Sequence, residues 1–99
     1  MLIRTERFDS RIRMILAGHF TFDAYREFKS QYTPLVDNDD FTELEIDLGH
    51  VEYLDSSALG MLLLLRERLH DKTVVLSNAK GTVKQVLEVA NFHHLFTMR

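Results

Sequence analysis

Apolar and polar positions alternate with a period of two at the start of the chain. Residues Leu2 to Phe8 and Arg11 to Ala17 read as short strands, with Ile12, Met14 and Leu16 alternating with Arg11, Arg13 and Ile15. The polar pair Asp9-Ser10 between them suits a tight hairpin turn. Gly18 is expected to break the second strand. Thr21 or Asp23 can cap a following helix, whose apolar positions Tyr25, Phe28, Tyr32 and Leu35 recur at spacings of three and four and so read as core. Pro34 should end or kink that helix, and Asp37 to Asp40 read as a solvated acidic loop.

A third strand is expected at Leu44 to Leu48, with Leu44, Ile46 and Leu48 on one face and Glu45 and Asp47 on the other. A parallel strand covered by helices on both sides would be apolar throughout, so the alternation predicts helices mainly on one face and a second face able to meet water. Thr73 to Leu76 is a β-branched strand. Thr82-Val-Lys-Gln85 has the spacing of a capping box for a helix with Val83, Val86, Leu87 and Ala90 inward. Asn91 is a left-handed stop, and His94 to Met98 supply a last strand. The resulting order, β-β-α-β-α-β-α-β, predicts an α/β fold: a mixed, mostly parallel sheet with an antiparallel edge hairpin and right-handed crossovers.

The 99 residues suffice for one core and are read as a single domain, residues 1–99. A formal charge of −3 supplies no basic field for nucleic acid. There is no cysteine, so disulfide and thiol chemistry are excluded and a reducing cytoplasm is the expected location. Charges at Arg4, Glu6 and Arg7 interrupt the place where a signal peptide needs its apolar core. The longest unbroken apolar run, Met61 to Leu65, is far short of the roughly 20 residues of a membrane span, so no direct membrane insertion is expected.

The stretch with the most chemistry is Tyr53 to Leu69, YLDSSALGMLLLLRERL. Asp55, Ser56 and Ser57 are residue types that accept the unpaired N–H groups of a first helical turn, and the leucines that follow form helix readily. Taken alone, the three read as helix caps. On a helical wheel Ala58, Leu62, Leu65 and Leu69 fall on one side and can pack on the sheet, leaving Gly60, Leu63, Leu64 and Glu67 near the opposite arc. Ser56, Gly60, Leu63 and Glu67, at spacings of four, three and four, then line one outward stripe more apolar than solvation requires. A phosphate at its head would add about −1.5 to −2 charges at neutral pH.

The segment VEYLDSSALGMLLLLRERL resembles the signature of the STAS domain, the fold of bacterial anti-sigma factor antagonists, in which a strand leads to Asp-Ser-Ser-Gly-Leu-Gly and then a helix. Ala58 replaces the first motif glycine, and Gly18-His19-Phe20-Thr21 stands where relatives carry Gly-Glu-Leu-Asp. By motif position, the serine that the anti-sigma factor/serine kinase phosphorylates corresponds to Ser56. The resemblance implies partner switching: the unphosphorylated protein binds the anti-sigma factor, phosphorylation releases it, and a metal-dependent serine phosphatase resets the cycle. Asp55, Ser56, Ser57, Gly60, Leu63, Leu64 and Glu67 are then the expected partner-binding residues. The resemblance also admits another use of the fold, as an accessory subunit docking on a transporter such as a lipid-transporting ABC complex.

Catalysis has less to recommend it. A hydrolase reading would pair Ser56 with His19, His50, His70, His93 or His94, yet no Gly-x-Ser-x-Gly elbow surrounds the serine and no histidine is tied to it by spacing. No ligand spacing suggests a metal and no glycine-rich loop a nucleotide. The expectation is a binding module without cofactor or catalytic residue.

Overall fold

The computed structural model describes residues 1–38 and 40–99; of the expected acidic loop Asp37 to Asp40, Asp39 lies outside the described residues. The hairpin is formed by β1 (Leu2–Phe8) and β2 (Arg11–Phe20), turning through Asp9 at φ 55°. A 3-10 turn (Phe22–Ala24) leads into α1 (Tyr25–Tyr32), and a second one (Thr33–Leu35), with Pro34 inside it, ends that helix. Then follow β3 (Glu43–Leu54), α2 (Ser56–Arg68), β4 (Thr73–Ser77), α3 (Gly81–Val89), a 3-10 turn (Phe92–His94) and β5 (Thr97–Met98). The strands lie in sequence order, β1 antiparallel to β2 and the remaining neighbours parallel. Every parallel crossover therefore steps one strand in the same direction, and right-handed crossovers of that kind place all their helices on one face.

That face holds the core. Ile12, Met14 and Leu16 of β2, Leu44, Ile46 and Leu48 of β3, and Val74 and Leu76 of β4 pack with Phe28 and Tyr32 of α1, Leu62 and Leu65 of α2, and Val83 and Leu87 of α3. The expectation of helices on one side is met.

The strands run further than the alternation indicated, and two local devices explain it. Gly18 does not end β2; at φ 107°, a conformation side chains rarely adopt, it lets the strand continue to Phe20, which is fully buried. In β3, the register steps from Ile15↔Asp47 to Ala17↔His50 and from Gly18↔Val51 to His19↔Tyr53, so each irregularity places an extra residue in β3. Inward residues consequently recur at Leu48, Val51 and Leu54, a spacing of three that no strand periodicity anticipates.

Three further expectations are corrected. Tyr25 is not core: α1 begins one turn past the sheet, Ala24 takes the inward place in register with Phe28 and Tyr32, and Tyr25 lies at the surface stacked on Phe22. Thr82 is not the cap of α3; Gly81, at φ 58°, turns the chain so that Lys80 is the N-cap and its carbonyl accepts from Lys84 N–H. The last strand is only Thr97–Met98, because Phe92 and Phe96 both point inward four residues apart and stack at 5.2 Å, which demands a helical turn. Asn91 does adopt the left-handed conformation that stops α3.

The polar side of β3 is also not simply wet. Asp47 is 4% exposed. Its carboxylate accepts from Gly49 N–H (2.9 Å), from the Asn78 amide (3.1 Å) and from the Arg13 guanidinium. Arg13 also lies 3.6 Å from Glu45, which accepts from the Ser77 hydroxyl at 2.6 Å, while Arg99 forks onto Glu43 at 3.0 and 3.1 Å. Long charged side chains thus roof the face that no helix covers. Burial pushes the Asp47 carboxyl up, but the Gly49, Asn78 and Arg13 bonds outweigh it and hold it below its ordinary range.

Candidate functional site: the N-terminus of α2

β2 and β3 deliver the site. Their carboxyl ends stay paired to Phe20↔Leu54, and Asp55 N–H then donates to Phe20 carbonyl at 3.3 Å, pinning the turn into α2 against the start of the Thr21–Ala24 segment. Asp55 is extended (φ −111°, ψ −177°) and its Oδ1 accepts from Ala58 N–H at 3.0 Å. This is an N-cap in the ordinary sense. Capping therefore belongs to Asp55, and Ser56, the first helical residue, is not needed for it.

Ser56 is exposed and Ser57 is half-buried. Their position at the first turn of a 13-residue helix places Ser56 Oγ at the positive end of the helix dipole. The helix then divides as the wheel predicts. Ala58, Leu62, Leu65 and Leu69 are fully buried, joined by Met61, whereas Gly60, Leu63, Leu64 and Glu67 are exposed. Leu63 and Leu64 keep 40% and 37% of their surface in solvent. Ser56 and Leu63 lie seven residues apart, about 10 Å along the axis. The structure thus brings Ser56, Gly60, Leu63, Leu64 and Glu67 onto one open surface, with Asp55 and Ser57 at its head.

Aromatic residues that sequence reasoning left aside stand exposed near the strand ends that lead into α2. Phe22, 68% exposed, stacks on Tyr25 at 6.3 Å beside the paired strand ends. Tyr53, also exposed, meets the His19 ring edge-on at 6.1 Å, and His19 Nε2 approaches Glu52 at 3.4 Å. The available signal was register: two bulges turn Glu52 and Tyr53 outward, and a strand passing through Gly18 turns His19 outward, all beside Asp55. Large exposed aromatics clustered by a rigid scaffold are typical of binding surfaces.

Chemically, the site offers a hydroxyl, apolar area and a carboxylate. Among the described residues no group of three or more His, Cys, Asp or Glu could hold a metal ion. His19 faces Glu52 and Tyr53, and the His93 and His94 rings lie 4.2 Å apart. Among the described residues no helix is long and apolar enough to cross a membrane.

Comparison with known proteins agrees with this fold. A STAS-domain containing protein of Pseudomonas aeruginosa (strain UCBPP-PA14) is 36% identical over 83 residues, covering 82% of this chain and 80% of that protein. The crystal structure of an anti-sigma factor antagonist from Mycobacterium paratuberculosis superposes with a TM-score of 0.87 at 19% identity, over 98% of this chain and 83% of that one. The anti-sigma factor antagonist SpoIIAA in its unphosphorylated form gives 0.77 at 17% identity, over 99% and 87% of the two chains. The Bacillus protein's phosphorylated form gives 0.76 at 15%, over 99% and 91%. The family model described as "Mlab, STAS domain" matches residues 3–98, and with the 36% identical relative it establishes that this chain belongs to the STAS domain family.

Proposed function

We propose that this STAS domain is an anti-sigma factor antagonist that works by phosphorylation-controlled partner switching. With Ser56 unmodified, the outward face of α2 docks on an anti-sigma factor that is also a serine kinase. Leu63 and Leu64 supply the apolar contact, Gly60 a close approach, and Glu67 a charged rim. Asp55 and Ser57 frame the acceptor. The kinase moves the γ-phosphoryl of ATP to Ser56 Oγ, the hydroxyl proton leaves, and ADP is released. A metal-dependent serine phosphatase hydrolyses the ester and restores the binding form. The domain itself is a binding module.

The observation that carries this reading is the division of labour at the α2 N-terminus: Asp55 caps the helix through Ala58 N–H, and the exposed Ser56 hydroxyl beside it heads an open apolar stripe. A phosphate dianion there is tolerated by the fold, because it sits at the helix N-terminus. In a complex the same dianion, next to Asp55, brings desolvated like charge into the interface. The modification can thus release a partner without refolding the domain. The existence of SpoIIAA structures in unphosphorylated and phosphorylated forms supports the reading by analogy.

The test is a binding titration against the anti-sigma factor recovered with the protein from its native host. Ser56→Ala should bind like wild type, and Ser56→Asp should bind about tenfold or more weakly, equivalent to about 1.4 kcal/mol. Equal affinities end the proposal, and recovery of a permease and ATPase in place of a kinase moves the domain to the transporter-docking alternative.

A further inference from the structure

The sheet has one long free edge. β5 closes the far side with two residues, whereas β1 presents seven. A two-residue hairpin loop is closed by a hydrogen-bonded pair, here Phe8↔Arg11, so Glu6↔Arg13, Arg4↔Ile15 and Leu2↔Ala17 are the bonded pairs further along. The main-chain N–H and C=O groups of Ile3, Thr5 and Arg7 therefore point away from β2, and among the described residues no loop or cap bond takes them up. Ile3, Thr5 and Arg7 share the helix-covered face with their partners Leu16, Met14 and Ile12; Leu2, Arg4, Glu6 and Phe8 line the other face. There Leu2 is 76% and Phe8 51% exposed, and Arg4 lies 3.8 Å from Glu6.

Exposed edges are normally blunted by charge, and β1 carries charges. Their order, however, is self-complementary. We propose that β1 pairs antiparallel with β1 of a second copy about a two-fold axis at Thr5, joining two domains into one continuous sheet. In that register Thr5 faces itself as a hydrogen-bonded pair and Ile3 bonds with Arg7 of the other copy, which uses the outward main-chain groups in about six bonds. Arg4 then stands opposite Glu6 twice, making a square of alternating charge, and Leu2 stands opposite Phe8 at both ends. Moving the axis to Arg4 sets Arg4 against itself, and moving it to Glu6 sets Glu6 against itself. Like charges directly opposite are destabilising, so charge selects the axis at Thr5 over either neighbour, and an axis nearer a strand end would leave more of β1 unpaired. The self-complementary patch is what a two-fold interface requires. Because the axis is perpendicular to the sheet, the helices of both copies lie on the same face. The two Ser56 ends point in opposite directions, two strands from the junction, and both remain open. This inference does not rest on the proposed function.

Sedimentation equilibrium of the whole chain, from micromolar to millimolar protein, tests it. Wild type should show a monomer–dimer equilibrium. Arg4→Glu alone and Glu6→Arg alone should each weaken it about tenfold or more, since each change acts twice. Mixing the two variants should restore association, because every facing pair is then again opposite in sign. Thr5→Pro should abolish the dimer with unchanged circular dichroism, since that N–H makes no bond within the domain and proline is tolerated on edge strands. A monomer at every concentration, single variants that associate like wild type, or a mixture that fails to associate would each overturn the proposal. If Thr5→Pro fails to fold, the charge-swap mixture still decides.

Discussion

Asp47→Asn removes one charge from the roofed face of the sheet and leaves its shape intact. The wild-type carboxylate is almost fully buried and accepts from Gly49, Asn78 and Arg13. An asparagine oxygen can still accept from Gly49 and Asn78, but its amide would face the Arg13 guanidinium, donor against donor. One charge-assisted bond is lost, worth about 1.5 to 3 kcal/mol. Arg13 keeps Glu45 at 3.6 Å and is partly exposed, which places the expected cost near the lower end, about 2 kcal/mol. For a domain of this size that lowers the melting temperature by roughly 10 °C at pH 7. The sign of the pH dependence follows from the depressed carboxyl. The folded state favours the ionised form, so the stabilisation is fully present above the unfolded carboxyl pKa of about 3.9 and fades as pH falls through the lower folded value. Thermal unfolding of wild type and Asp47→Asn should therefore show a gap that is widest near neutrality and closes only in strong acid. Equal melting temperatures at pH 7, or a gap that already closes well above the unfolded carboxyl pKa, would refute the network as described.

Other substitutions separate folding from docking. Asp55→Ala deletes the α2 cap and should cost about 1 kcal/mol, or roughly 5 °C by calorimetry. Gly60 lies mid-helix with nothing within 4 Å of an added Cβ, so Gly60→Ala should raise stability by about 0.5 to 1 kcal/mol in a denaturant titration. Leu65→Ala, at a fully buried position, should cost about 2 to 5 kcal/mol, while Leu63→Ser, at the exposed stripe, should change stability by less than about 0.5 kcal/mol yet weaken partner binding.

Much of the architecture was readable because local pattern and tertiary demand coincide. The apolar spacing of Ala58, Leu62, Leu65 and Leu69 marks the buried face of α2, and Asp55 and Asn91 act as the start and stop signals their chemistry suggests. The misreadings share a cause. Bulges in β3 change the inward spacing from two to three, so Val51 and Leu54 escape a periodicity of two. Gly18 looks like a breaker in one dimension and is a continuation in three. Asp47 reads as a solvent-facing carboxylate because its partners Arg13 and Asn78 lie 34 and 31 residues away. For the candidate site, the stripe on α2 was visible from the wheel, whereas the grouping of the exposed His19 and Tyr53 near the turn into α2 follows only from β2 and β3 ending side by side.

The proposed switch consists in one phosphate on Ser56 vetoing docking on the outer face of α2. It is tested most directly by phosphorylating the protein with its kinase, mapping the modified residue by mass spectrometry, and titrating both forms into the same anti-sigma factor by calorimetry. The expected result is a single phosphate on Ser56, an unchanged circular dichroism spectrum and a dissociation constant raised by tenfold or more, about 1.4 kcal/mol per decade. A phosphate mapped to another residue, or two forms that bind with equal affinity, would contradict it.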